Sequence, residues 1–380
     1  MRILVIIYEY PPVGGGGGHA AHDICRGLVK LGHEVQTLTA HLKGLPRQEE
    51  IDGFKVIRVP SARRQAYKAD LLAMGGFVVS GSLAGLRQAK GWQPDIIHVH
   101  FAVPSGPVAW VLSRLTGIPY VLTAHLGDVP GGVPDKTANW FPWFYPFTPQ
   151  IWRDAERTVA VSEYTRQIAL KHYPVDIQVI PNGVDTELLD PGNIVAGDPP
   201  QIVFAGRFVS QKNPLQIIRV LAKLQNLSWS CTMIGDGPLK SQVEDEIRSH
   251  GMEQRILLPG WVTPEEVIDQ FRKSDILFMP SLSEGLPVAG VQALSLGLAF
   301  VVSPAGGFVD LVDPEQNGFL IDSDDEQGYC NAFQQLLSSP EQLQSFREAS
   351  RKKASEFDIK RVVSRYEQLF LEVINGNKKT

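Results

Sequence analysis

Short β-branched runs separated by helix-length segments recur along nearly all of this chain, and that alternation limits its fold more than any other feature. Strands joined through helices pair in parallel, because each crossover returns the chain to the same end of the sheet. Strands are expected at 2–7, 34–39, 54–59, 96–100, 119–123, 158–161 and 178–180, with a helix from about Gly18 to Leu31 closed by Gly32. A second series follows at 201–205, 228–234, 256–258, 276–279, 300–302 and 319–321. Between the two lies a stretch rich in Gly, Pro and Asp, which reads as a linker. With 380 residues the chain also exceeds one ordinary hydrophobic core. The expected division is a first domain over 1–188, a linker over 189–200, a second domain over 201–354, and a final helix and tail over 355–380 that returns to the first domain.

Composition excludes several function classes. Lys and Arg number 36 against 41 Asp and Glu, a net charge of −5, which argues against a nucleic-acid partner. Cys25, Cys231 and Cys330 are far apart and odd in number, with no metal-ligand or redox spacing, so a reducing compartment is expected. The apolar start, Met1 to Ile7, is stopped by Glu9 and Pro11-Pro12 and reads as a buried strand rather than a signal peptide. The uncharged stretch 71–86 is too short and too rich in Gly and Ser for a membrane span. A soluble cytoplasmic protein is expected, attached at most to the inner membrane surface.

Ligands of doubly wound sheets bind beyond the carboxyl ends of the strands, so the loops there carry the functional reading. After the first strand comes Pro11-Pro12-Val13-Gly14-Gly15-Gly16-Gly17-Gly18, where missing Cβ atoms let a large anion approach backbone and helix N–H groups. It is neither a dinucleotide fingerprint nor a P-loop, and the plain alternative is a loop without a ligand. After the strand at 201–205, Arg207 and Lys212 lie five apart, and together could clamp a diphosphate; two solvated surface cations are the alternative. After the strand at 276–279 comes Ser281-Leu282-Ser283-Glu284-Gly285-Leu286-Pro287-Val288-Ala289, with Pro287 suited to a helix's first turn and Gly285 to a tight entry. Free N–H groups from Leu286 to Ala289 would then bind a phosphate, Glu284 would accept from sugar hydroxyls, and Gln292 lies further along the same helix. The alternative is a capped helix whose Glu complements the dipole.

These residues resemble glycosyltransferase family 4, retaining enzymes of the GT-B fold: α/β, with two Rossmann-like doubly wound domains facing a cleft. The resemblance spans nearly the whole chain, in the family's order: the Pro11 to Gly16 loop, Leu122-Thr123-Ala124-His125, Pro181-Asn182-Gly183-Val184-Asp185, Gly206-Arg207 with Lys212-Asn213, Ile234-Gly235-Asp236-Gly237-Pro238, Leu258-Pro259-Gly260-Trp261-Val262, and Glu284-Gly285-Leu286-Pro287. The resemblance implies that Gly15 and Gly16 approach the donor diphosphate, and that Arg207 and Lys212 bind it from the other domain. It implies that Glu284 holds the transferred sugar and that His125 lies near the reacting centre. Base contacts fall to backbone near Gly235, Gly237 and Val262, with Gly285, Leu286, Pro287 and Val288 around the phosphates. The second carboxylate of the family's Glu-x₇-Glu pattern is here Gln292, a departure, although an amide also hydrogen-bonds ribose hydroxyls.

The implied activity is transfer of a hexose from a UDP- or GDP-linked donor to a glycan or lipid-linked acceptor by front-face displacement, with no metal and no resident cofactor. A nucleotide-sugar epimerase of the same shape and a catalytically degenerate nucleotide-sugar-binding protein are the alternatives. His98 and His100 end a strand and are read as facing opposite sides of the sheet, which argues against a shared metal. The aromatic stretch 139–147 is read as a packed helix and turn; an acceptor platform or a membrane-dipping patch aided by Arg63, Arg64 and Lys68 is the competing reading.

Overall fold

In the computed structural model, which describes residues 1–65, 70–132 and 145–377, successive residues of strand β1 (Arg2–Ile6) feed two different cores. Ile3 and Val5 pack with Ile24, Leu28 and Phe370, whereas Leu4 and Ile6 pack with Phe77, Val108 and Leu112. A strand apolar on both faces needs cover on both, which is how a parallel sheet is buried. Helix α1 (Gly16–Lys30) and the C-terminal helix Ile359–Asn377 supply one cover, and helices α2 (Leu71–Gly91) and α3 (Ser105–Thr116) the other.

This sheet runs in the order β3 (Gln48–Ile51), β4 (Phe54–Arg63), β2 (Glu34–Leu42), β1, β5 (Ile96–His100), β6 (Tyr120–Ala124), β7 (Arg157–Ala160), β8 (Ile177–Val179). All neighbours are parallel except β3 and β4, an antiparallel hairpin turned through Asp52 and Gly53. The sequence reading missed β3 because Gln48-Glu49-Glu50-Ile51 has no apolar alternation. It is an edge strand, helped by an ion pair from buried Arg58 to Glu49.

One expectation is overturned here. Side chains along a strand alternate with period two, so His98 and His100 share a face rather than opposing one another. Their rings lie 4.1 Å apart, and His98 packs on Tyr366 and Phe370 of the C-terminal helix. That helix docks on α1, where Gly27 has no Cβ to strike Val363 and His33 Nε2 meets Glu367 Oε1 at 2.7 Å.

The chain divides into two units, Met1–Gly183 together with the segment from Ile359, and Val184–Asp358. In the second, the order is β11 (Ile256–Gly260), β10 (Ser230–Ile234), β9 (Gln201–Ala205), β12 (Ile276–Met279), β13 (Ala299–Val302), β14 (Gly318–Leu320), parallel throughout. The stretch read as a linker over 189–200 belongs to this unit. Arg347 donates to Val195 O at 2.7 Å, Gln344 to Ile194 O at 2.7 Å, and Gly197 N to Asp275 Oδ1 at 3.0 Å. Gly and Pro remove regular structure from such a stretch without freeing it, because distant side chains satisfy its backbone.

Strand order reverses between β1 and β5 in the first unit and between β9 and β12 in the second, and each reversal opens a crevice at the carboxyl ends of its strands. Among the described residues no helix is long and apolar enough to cross a membrane. Lys68 and residues 139–144 of the aromatic stretch lie outside the described residues.

Candidate functional site

In the second unit the loops after β9 and β12 flank the strand-order reversal and are bonded to each other. Leu282 N donates to Gln211 O, and Gln211 Nε2 to Ser283 O, both at 2.8 Å. Lys212, ending a 3₁₀ turn (Ser210–Lys212), then reaches Glu284: Nζ lies 2.6 Å from Oε1. The Glu284 side chain is nearly buried, and Oε2 makes no hydrogen bond among the described residues. Arg207, half-buried in the same loop as Lys212, has no ion-pair or hydrogen-bond partner for its guanidinium among the described residues.

Two further loops close on these. Phe208 N donates to Asp236 O at 3.0 Å, and a Cβ at Gly235 would overlap the Gly206 carbonyl oxygen, so Gly235 serves the packing of backbone on backbone. After β13, Gly306 and Gly307 lie against Glu284 and Gly285, with Gly307 N donating to Gly285 O. A side chain at Gly306 would overlap the Glu284 carbonyl, and its φ of +62° is left-handed. Sequence reading missed Gln211, Gly306 and Gly307; the last two stood in a Pro-Ala-Gly-Gly run directly after a strand, the position that should have marked them.

The helix expected to bind phosphate runs Val288–Ser295, with Pro287 as its N-cap. No side chain caps it, so its leading N–H groups stay open at a positive dipole end. Leu286 and Pro287 are buried, while Gly285, Val288 and Gln292 are half-buried; the Gln292 amide has no partner among the described residues. Val262, beyond β11, is half-buried and makes no hydrogen bond to these loops among the described residues. The structure therefore joins Lys212 directly to Glu284 and packs the loops that carry Arg207, Gly235, Gly237 and Gly285 on one another, while Val262 is linked only through Gly260, two residues before it, whose carbonyl accepts from Gly235 N at 2.9 Å.

At the reversal of the first sheet, α1 begins two residues earlier than expected, at Gly16, with exposed Gly15 as an N-cap that offers no side chain. A Cβ on Gly17 would stand 2.7 Å from Phe101 Cζ and 3.3 Å from His125 Nδ1. Phe101, at a φ of +70°, stacks on His125 with ring centroids 4.4 Å apart. Asp128 clamps the backbone on both sides, accepting from His125 N at 2.9 Å and Ala102 N at 2.5 Å. His125 Nε2 meets His100 Nδ1 at 3.0 Å. Burial pushes the imidazoles of His98 and His125 down to about 3, depresses His100 as well, and raises the Asp128 carboxyl to about 6. The three histidines are therefore neutral near pH 7, and only His125 is partly exposed. Among the described residues, no group of three or more His, Cys, Asp or Glu is placed to hold a metal ion.

Comparison with known proteins agrees with this layout. Residues 14–188 match the model described as Glycosyltransferase Family 4, and residues 185–353 that described as Glycosyl transferases group 1. The chain is 25% identical over 410 aligned positions to the glycogen synthase of Mycobacterium tuberculosis, covering 100% of this chain and 96% of that one. It is 27% identical over 300 residues to the UDP-Gal:alpha-D-GlcNAc-diphosphoundecaprenol alpha-1,3-galactosyltransferase of Escherichia coli, covering 74% and 76%. The structure of sucrose-phosphate synthase from Thermosynechococcus elongatus superimposes with a TM-score of 0.87 at 20% identity, over 99% of each chain. The chain belongs to glycosyltransferase family 4, with the two parallel α/β units of the GT-B fold.

Proposed function

We propose that this glycosyltransferase moves a hexose, with retention of configuration, from a UDP- or GDP-linked donor to a glycan or lipid-linked acceptor, and that it needs no metal. The observation that carries the reading is the Lys212–Glu284 pair beside an uncapped helix start, with Arg207, unpartnered among the described residues, in the same loop as the lysine. Breaking the anomeric C–O bond leaves negative charge on the diphosphate. Arg207, Lys212 and the N–H groups at Val288 and Ala289 offer fixed positive charge to that leaving group, the role a metal would otherwise take. The acceptor oxygen bonds the anomeric carbon from the face the diphosphate leaves, and its proton passes to the departing phosphate oxygen.

Within this proposal Glu284 Oε2 accepts from hydroxyls of the transferred hexose, and the Gln292 amide from or to the ribose. Gly15 and Gly16 lie near the diphosphate and His125 near the reacting carbon, as the family resemblance implies. The printed name of the Escherichia coli relative supports a UDP donor and a lipid diphosphate acceptor. The glutamine at 292 favours one competing reading, a chain that binds nucleotide sugar without turning it over.

The test is slow donor hydrolysis without acceptor, in EDTA, followed by NMR with UDP- and GDP-linked hexoses. Release of the same anomer from one donor, abolished by Glu284→Ala, is expected. Release of the opposite anomer, appearance of an epimerised nucleotide sugar, or no turnover of any donor would overturn the reading.

A further inference from the structure

The histidines of β5 are not spent on packing alone. Tyr366 Oη lies 3.2 Å from Thr123 Oγ1, which lies 2.9 Å from His98 Nε2; the His98 ring packs against that of His100 at a tilt of 49°, and His100 Nδ1 meets His125 Nε2 at 3.0 Å. The remaining nitrogens, His98 Nδ1 and His100 Nε2, are buried with no hydrogen-bond partner among the described residues. We propose that His100 is a positioning residue that fixes the tautomer of His125, so that His125 presents an Nδ1–H donor to the glycine start of α1.

One proton lies between His100 and His125, and it has two arrangements. If His125 Nε2–H donates, His100 Nδ1 is bare and the neutral ring must carry its proton on Nε2, where the N–H is buried without an acceptor. If His100 Nδ1–H donates, the orphan at Nε2 is only a lone pair, and His125 must carry its own proton on Nδ1. A buried N–H without a partner is costlier than an unused lone pair, so the second arrangement dominates. The same reasoning makes His98 Nε2 the donor to Thr123, so one direction of hydrogen bonding satisfies both buried rings.

The ring is held for this purpose. Phe101 stacks on its face, and Asp128 fixes its backbone N–H. Nδ1 points at Gly17, and the absence of a side chain there leaves it open to a ligand at the helix start. A neutral donor at that place suits an electronegative oxygen, a sugar hydroxyl or a phosphate oxygen, and it stays neutral because burial disfavours the imidazolium. The tautomer is a property of the free chain; its use in turnover rests on the transferase reading above.

The experiment is long-range ¹H–¹⁵N correlation on the histidine-labelled, unliganded full chain, which reads the tautomer whether or not the chain transfers sugar. His125 and His100 both protonated at Nδ1 are expected. In His100→Asp, whose carboxylate at that place only accepts, His125 should move to the Nε2–H form, with kcat falling about tenfold or more. His100→Asn, whose amide N–H takes the place of Nδ1–H, should restore both. A wild-type His125 protonated at Nε2 overturns the proposal without reference to any variant. So does a folded His100→Asp chain that keeps the Nδ1–H form, or one that loses it with kcat unchanged.

Discussion

Lys212 and Glu284, 72 residues apart in sequence, meet at 2.6 Å across the strand-order reversal of the second sheet. The lysine keeps part of its surface exposed, whereas the glutamate is almost wholly covered. The pair fixes one carboxylate oxygen and leaves the other without a partner among the described residues, so one contact both joins the loops and orients the carboxylate proposed to hold the sugar.

Removing only the cation should therefore damage the fold as well as the activity. Lys212→Met strands a covered carboxylate and should cost about 3 kcal/mol, within the range for breaking such pairs. Adding Glu284→Gln removes the stranded charge. The double variant should regain most of the stability in urea melts while remaining inactive. Recovery of turnover along with stability would show that the pair is only structural.

Gly306 should tolerate no side chain. Gly306→Ala meets the Glu284 carbonyl and adopts a left-handed backbone, so a loss of about 1–3 kcal/mol is expected. Gly75→Ala, in α2 with nothing within 4 Å of the added carbon, should instead be neutral or stabilising by up to about 1 kcal/mol. Equal denaturation midpoints for the two variants would contradict the packing described for the loop after β13.

Acid stability follows from the histidine cluster. Burial holds His98 and His125 at about 3 and His100 also below the ordinary 6.5, so the unfolded chain takes up these protons first. Their contribution is complete above pH 6.5 and is lost as pH falls toward 3. Asp128 works the other way: raised from 3.8 to about 6, it favours the folded state increasingly as pH falls between those values. Three imidazoles outweigh one carboxylate, so the urea midpoint should drop between about pH 7 and about pH 5. His98→Phe should make that drop shallower, and an unchanged slope would remove His98 from the account.

Gln292 provides a graded test of ribose binding. Gln292→Ala should raise the KM for the donor several-fold, and Gln292→Glu should leave it equal or lower, since either side chain hydrogen-bonds a hydroxyl. Donor kinetics that ignore both changes would mean the residue does not touch the nucleotide.

Some of this was legible in the sequence and some was not, for physical reasons. Strands such as β1 and β9 are apolar on both faces and stand out, whereas β3 is a polar edge strand with no apolar alternation, held to β4 through the tight turn at Asp52 and Gly53. The Gly206–Asn213 and Ser281–Pro287 segments were readable as strand-end loops, but not the Lys212–Glu284 contact, which depends on strand order and hence on distant pairing. Two apart in one strand, His98 and His100 had a readable common face, and it was misread. Phe101 at positive φ has no sequence signal, because aromatic residues rarely adopt that backbone. The stretch 189–200 looked like a linker because the side chains that tie it down, Gln344 and Arg347, come from a helix far along the chain.

The proposed transfer depends on a diphosphate site built from protein cations in the second unit. Thermal unfolding in EDTA with UDP, GDP and ADP in turn, for the native chain and for Arg207→Ala, tests it most directly. One nucleotide should raise the native midpoint, with about 2.7 kcal/mol of stabilisation at a hundredfold excess over its Kd, and the shift should largely vanish in Arg207→Ala. No shift with any of the three, a shift that appears only on restoring a divalent ion, or an equal shift in Arg207→Ala would contradict it.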